Sequence, residues 1–203
     1  MARIGILGGT FNPVHLGHLI LAQDALERFE LDRVFFVPCA QSPHKTAEPP
    51  IAAAHRAAML EAALEGDPRM EVSRAEIERG GVSYTIDTVE DFARRFPGAE
   101  ICFIIGADTL AELHRWKDIG RLLERCAFVT LARPGFDVDA IAPESLRLPP
   151  PWPERLLARV AAGHAVDISS TDVRMRLAEG LRVRYLVPDA VEMYIREHHL
   201  YEC

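Results

Sequence analysis

The sequence predicts a three-layer α/β fold, a parallel sheet with helices over both faces. Three observations predict it. Short apolar runs (IGIL, RVFFVP, EICFIIG, CAFVTLA) recur without the polar alternation of a half-exposed sheet. Segments with helical spacing of apolar residues fill the intervals between them. Turn residues, among them Gly8-Gly9, Pro97-Gly98 and Arg133-Pro134-Gly135, close most of the runs.

In chain order, residues 3–7 form a first strand, stopped by the glycine pair. Residues 16–29 form a helix with Leu19, Ala22, Leu26 and Phe29 on one face. Arg33–Pro38 is a second strand, closed by its own proline; a loop runs to residue 50, and an Ala-rich helix covers 52–65. Residues 70–73 make a short strand and 85–96 a helix ended by Pro97-Gly98. Glu100–Gly106 is a strongly apolar strand, and a broken helical region with Leu110, Leu113, Trp116 and Leu122 follows. Residues 126–132 are the next strand. Residues 136–163 are the least regular, because Pro149-Pro150-Pro151 and Pro153 break any long element; 146–153 is expected as an exposed loop with a helix after it. A short strand at 166–168, a helix at 171–178 ended by Gly180 and a helix at 188–199 complete the chain. Strand–helix alternation of this kind gives a Rossmann-like sheet. One domain over 1–203 is expected, with 136–163 a variable insertion and 164–203 a C-terminal part that carries Ile168-Ser169-Ser170-Thr171.

The 203 residues are 49% hydrophobic and 26% charged, with a formal net charge of -7. That balance suits a globular protein with a sizeable core and argues against a nucleic-acid or membrane-surface binder. No apolar run approaches the roughly 18 residues of a membrane helix, and the start of the chain has neither a long apolar stretch nor a small-residue cleavage site. A cytoplasmic enzyme is expected; a homo-oligomer stays open. Cys39, Cys102, Cys126 and Cys203 form no CxxC pair, so free thiols in a reducing compartment are expected, with Cys39 at a strand end where it could line a site.

Ligands of such sheets bind beyond the carboxyl ends of the strands. Residues 8–18, GGTFNPVHLGH, lie there, after the first strand. The spacing departs from G-x-G-x-x-G, and no Gly-Lys-Ser/Thr follows, so it is neither a dinucleotide fingerprint nor a Walker loop. Gly8, Gly9 and Thr10 instead let backbone approach an anion at a helix N-terminus, and His15 and His18 add side chains one turn apart. A metal reading lacks an obvious third ligand. Ser42-Pro43-His44-Lys45 and the run from Ile168 to Arg174 lie on the same edge. Singly, the histidines read as capping or surface groups, Lys45 as a solvated lysine and the serines as an N-cap. Together they describe a polyphosphate cradle.

GGTFNPVHLGH, SPHK and ISSTDVR closely resemble the HxGH nucleotidyltransferases, and among them the bacterial nicotinate-nucleotide adenylyltransferases. Ser83-Tyr84-Thr85, Gly106-Ala107-Asp108-Thr109-Leu110, residues 113–118 (LHRWKD) and 131–135 (LARPG) extend the resemblance from residue 3 to about 195, apart from 136–163. Asn12 stands where many members have Asp. The resemblance implies attack of the phosphate of nicotinate mononucleotide on the α-phosphorus of ATP, giving nicotinate adenine dinucleotide and pyrophosphate. It implies His15, His18 and Arg174 as catalytic residues. ATP would be bound by Gly8, Gly9, Thr10, Phe11, His15, His18, Lys45, Gly106, Asp108, Ser169, Ser170 and Arg174. The mononucleotide would be bound by Thr10, Lys45, Tyr84, Thr85, Trp116 and Lys117. Mg²⁺ would arrive with ATP, carried by phosphate oxygens and water. Without the resemblance, Asp108 and Thr85 read as helix caps and Trp116 as a core residue. The rival readings are transfer to nicotinamide mononucleotide or phosphopantetheine, a non-catalytic nucleotide sensor, and a truncated class I aminoacyl-tRNA synthetase core.

Overall fold

The computed structural model describes residues 1–43, 49–132 and 140–202. The expected α/β class is borne out: six strands hydrogen-bond in the order β3-β2-β1-β4-β5-β6. They are β1 (Arg3–Gly9), β2 (Arg33–Pro38), β3 (Met70–Val72), β4 (Glu100–Gly106), β5 (Ala127–Ala132) and β6 (Val160–Ala162). The chain divides into two compact units. The first holds residues 1–8, 21–34 and 84–165; the second holds 9–20, 35–83 and 166–203.

In the first unit, β1, β4, β5 and β6 pair in parallel, with Arg3 opposite Glu100 and Cys102 opposite Ala127. Ile4, Ile6, Ile101, Phe103, Ile104, Phe128 and Val129 are buried, as the unbroken apolar runs require. Gly5 belongs there for space: a Cβ would stand 2.8 Å from the Val34 side chain and 2.9 Å from Leu31. Helix α4 (Thr85–Arg95), a 3₁₀ helix at Ala107–Arg115 and helix α5 (Ile119–Arg125) realise the helical expectations of this stretch. The free thiols of Cys102 and Cys126 are buried, and burial pushes both pKa values up, Cys102 to about 11.

Two expectations fail between residues 146 and 168. Residues 166–168 are not a strand; the sixth strand is Val160–Ala162, inside the stretch expected to be an insertion. The pattern Val-Ala-Ala carries little strand signal, and the exposed ladder of β5 supplies what propensity does not. Just beyond β6, Asp24, a carboxylate only 3% exposed, accepts from the main-chain N of His164 at 2.8 Å and lies 2.7 Å from its Nδ1. Leu146, expected in an exposed loop, is buried at the end of a 3₁₀ turn (Pro143–Leu146), and helix α6 (Trp152–Leu157) follows.

In the second unit, Ser73 N donates to Phe36 O at 2.9 Å beside β3. The unit contains α2 (Ala53–Leu64), a short α3 (Ala75–Arg79) that the sequence pattern did not reveal, α7 (Ser170–Ala178) and α8 (Asp189–Glu197). Helices α2 and α8 pack together. Met59, Leu60, Val191 and Ile195 are buried on those helices. Helix α1 (Leu16–Arg28) begins in this unit and ends in the other.

Candidate active site

Residues 9–18 leave β1 and turn into α1 by a tightly determined path. Phe11 takes a left-handed backbone (φ 49°), and the Asn12-Pro13 bond is cis. The Phe11 ring is buried, meets Phe36 at 5.7 Å and touches His18 edge-on at 5.0 Å. Gly9 leaves room for that ring, since a Cβ there would come within 3.1 Å of it.

His15 and His18 lie face to face, with ring centroids 3.7 Å apart and planes 28° apart. Gly17 makes this stack fit: a Cβ would stand 3.0 Å from His15 Nδ1. The main-chain N of His15 donates to His18 Nδ1 at 3.2 Å. In neutral His18 the ring proton is therefore on Nε2, which is a donor. Burial holds the His15 pKa down at about 4; burial and the neighbouring His15 hold that of His18 at about 3. Both rings are neutral at pH 7. His15 Nδ1 is buried and has no hydrogen-bond partner among the described residues. An unsatisfied buried ring nitrogen is costly where nothing binds to it. It fits a site that an anion's oxygens or hydroxyl complete.

The loop is clamped from outside itself. Arg174 on α7 donates from Nη1 to Asn12 O at 2.9 Å and from Nη2 to Thr171 Oγ1 at 3.3 Å. Ser170 Oγ donates to Pro13 O at 2.8 Å, and Ser169 Oγ caps α7 by accepting from Asp172 N at 3.0 Å. The serine run is thus both the N-cap of the plain reading and a loop support. Arg56 on α2, 1% exposed, donates to the main-chain oxygens of Thr10 (2.7 Å), Cys39 (2.6 Å) and Ile51 (3.1 Å). The Cys39 thiol is buried and lies 3.6 Å from Thr10 Oγ1. Sequence reasoning missed Arg56, although one signal was present: it shares a helix face with Met59 and Leu60, a place for an apolar residue. Lys45 and residues 133–135 of LARPG lie outside the described residues.

The remaining expected residues belong to the first unit. Gly8 accommodates Phe103, whose ring would meet a Cβ at 3.2 Å. Gly106 ends β4 and accommodates Asp108, whose Oδ1 would meet a Cβ at 2.6 Å. Asp108 is exposed in the first turn of the 3₁₀ helix, of which Gly106 is the cap residue, so it is not an N-cap. Thr85 is the first residue of α4 and Tyr84 its cap position, with no side-chain cap bond. In its first turn Asp87 N and Thr88 N both donate to Tyr84 O, at 3.1 and 3.4 Å. Trp116 is half-buried rather than core, with its ring edge-on to Phe103 at 5.7 Å and Phe128 at 5.9 Å. Lys117 Nζ sits 4.0 Å from the centre of the Tyr84 ring. No cluster of His, Cys, Asp or Glu that could hold a metal ion is present among the described residues.

Comparisons with known proteins agree on one family. The cytidylyltransferase-like family model matches residues 6–176. A curated protein of Opitutus terrae named "Probable nicotinate-nucleotide adenylyltransferase" is 46% identical over 98% of this chain and 97% of its own length. One of the same name from Thermus thermophilus is 45% identical over 98% of this chain and 99% of its own. Plasmodium falciparum nicotinic acid mononucleotide adenylyltransferase, solved in complex with NaAD, superposes with a TM-score of 0.74 at 18% identity, covering 99% of this chain and 98% of that one.

Proposed function

This chain belongs to the cytidylyltransferase-like family, and within it to the nicotinate-nucleotide adenylyltransferases, and from that premise we propose that it transfers the adenylyl group of ATP to nicotinate mononucleotide. A phosphate oxygen of the mononucleotide attacks the α-phosphorus of ATP. The bond from that phosphorus to the bridging oxygen of the β-phosphate breaks, pyrophosphate leaves, and nicotinate adenine dinucleotide remains. The attacking phosphate is already nucleophilic, so the protein supplies alignment and charge stabilisation.

The observation that carries this reading is the stacked His15–His18 pair, locked by a main-chain bond and carrying an unsatisfied buried nitrogen. As neutral donors the rings can hydrogen-bond phosphate oxygens without a standing charge. Negative charge arriving beside them raises their pKa values, so they can take on positive character as the transition state forms. Arg174 and Lys45 are assigned to the β- and γ-phosphates, Gly106 and Asp108 to a nucleotide ribose. Mg²⁺ would come bound to ATP, its ligands phosphate oxygens and water. The positive dipole end at the start of α4 favours a carboxylate, and the half-buried Trp116 is assigned to the pyridine ring. Among the described residues no helix is long and apolar enough to cross a membrane. The buried free thiols support a reducing, cytoplasmic setting.

The test is a coupled assay of pyrophosphate release from ATP with nicotinate mononucleotide and nicotinamide mononucleotide offered separately. The nicotinate form is expected to have at least roughly tenfold higher kcat/KM, the scale of one charge-assisted hydrogen bond. An equal or better amide substrate would overturn the nicotinate assignment and leave adenylyl transfer standing. No release with either would overturn both.

A further inference from the structure

The chain beyond α8 returns to the histidine loop. Tyr201 Oη donates to Asn12 Oδ1 at 2.8 Å. The same Asn12 oxygen lies 3.4 Å from Ile51 N, and the Asn12 main-chain oxygen receives Arg174 Nη1 at 2.9 Å. One residue therefore joins a phenol on one side to a guanidinium on the other. Tyr201 takes a left-handed backbone (φ 65°), a conformation costly for a bulky side chain, and so must be held by its surroundings. Burial pushes the phenol pKa up against the pull of the nearby Arg174 and Arg56, which keeps Tyr201 a neutral donor. Nothing in the chemistry proposed above uses this hydroxyl.

We propose that Tyr201 is a positioning residue for adenylyl transfer: by fixing Asn12 it fixes the carbonyl on which Arg174 rests, and with it the point at which that guanidinium meets a polyphosphate. This rests on the assignment of Arg174 to the leaving phosphates. Among the described residues the hydroxyl makes one hydrogen bond, to Asn12, so Tyr201→Phe removes the tether and keeps the ring.

The test is a cycle of Tyr201→Phe with Arg174→Ala, read as affinity for inorganic pyrophosphate by calorimetry. Tyr201→Phe is expected to weaken pyrophosphate roughly threefold to tenfold, the range of one hydrogen bond, when Arg174 is present. In the Arg174→Ala background it should change affinity by less than about 1.5-fold, because no guanidinium remains to be misplaced. In turnover the same variant should raise KM for ATP and leave KM for the mononucleotide in place. Equal weakening in both backgrounds would show a merely structural hydroxyl and overturn the proposal, as would unchanged affinity in the single variant. Should Tyr201→Phe fail to fold, Asn12→Ala goes through the same cycle with the same outcomes required. A wild type that binds pyrophosphate but makes no dinucleotide would sink the assigned activity alone; one that makes dinucleotide but binds no pyrophosphate would sink the Tyr201 proposal alone.

Discussion

Around the histidine loop, Arg56, Arg174 and Ser170 reach the main-chain oxygens of Thr10, Asn12 and Pro13. Around Trp116, by contrast, Phe103 and Phe128 meet the indole edge-on, and Lys117 sits over Tyr84. Hydrogen bonds with fixed direction hold the first region, and ring packing with far less directional demand holds the second. The difference matches the roles proposed for them. Phosphoryl chemistry depends on donors held to fractions of an ångström, whereas a flat ring needs mainly a flat, apolar face.

The largest effect should come from breaking the first region at its chemical centre. His18→Ala is expected to lower kcat by roughly 10² to 10⁴ with a smaller change in KM, as for loss of a donor to a developing charge. His18→Asn and His18→Gln sharpen the test, since Asn places an acceptor near the Nδ1 position and Gln a donor near the Nε2 position. Recovery in the Gln variant is expected; recovery in the Asn variant alone would reduce His18 to a support for His15. A His18→Ala enzyme keeping half its turnover would remove it from the mechanism.

Arg56→Met should follow. It leaves the oxygens of Thr10, Cys39 and Ile51 without their donor, for an expected loss of about 2–4 kcal/mol in urea unfolding. A loss under about 1 kcal/mol would show that these oxygens find other donors, and the contrast between the two regions would weaken. Acid should act on the same region. His15 and His18 are held at about 4 and about 3, below the ordinary 6.5, so the unfolded chain takes up protons first as pH falls. Their share of stability is complete above pH 6.5 and is lost progressively toward pH 3. Urea midpoints measured from pH 7 to pH 5 should fall more steeply in the wild type than in His18→Gln; parallel curves would contradict the burial of the pair.

The smallest effect is expected in the second region. Trp116→Ala should lower kcat/KM for nicotinate mononucleotide roughly tenfold while leaving ATP affinity nearly unchanged, measured by titration of each ligand. An equal loss for ATP would show that the ring face supports the fold rather than the mononucleotide.

The same contrast governs what could be read from the sequence. Arg33–Pro38 and Glu100–Gly106 were legible to the residue, because buried parallel strands are unbroken apolar runs. β6 was not, because Val160–Ala162 owes its state to the edge of β5 and not to its own pattern. In the site, the sequence brought GGTFNPVHLGH and Arg174 forward, and the structure joins them through the bond from Arg174 to Asn12 O. The supports Arg56 and Tyr201 were not, since a side chain that serves distant main-chain oxygens or an amide leaves no local motif. Asp24 was hidden likewise: a carboxylate on the buried side of α1 becomes intelligible only once His164 is beside it.

Arg56 touches the loop through main-chain oxygens, which every amino acid carries. That part of its grip is blind to the side-chain identity of Thr10, Cys39 and Ile51, and of these only at Cys39 does the guanidinium also reach a side chain, Nη1 lying 4.0 Å from Sγ. Replacement at those positions leaves the clamp's acceptors in the chain, while replacement of Arg56 removes donors from all of them together. Substitution at Ile51 is thus expected to disturb the clamp far less than substitution of Arg56. The shape of the loop is held from α2 through Arg56 and from α7 through Ser170 and Arg174, in each case by way of the main chain.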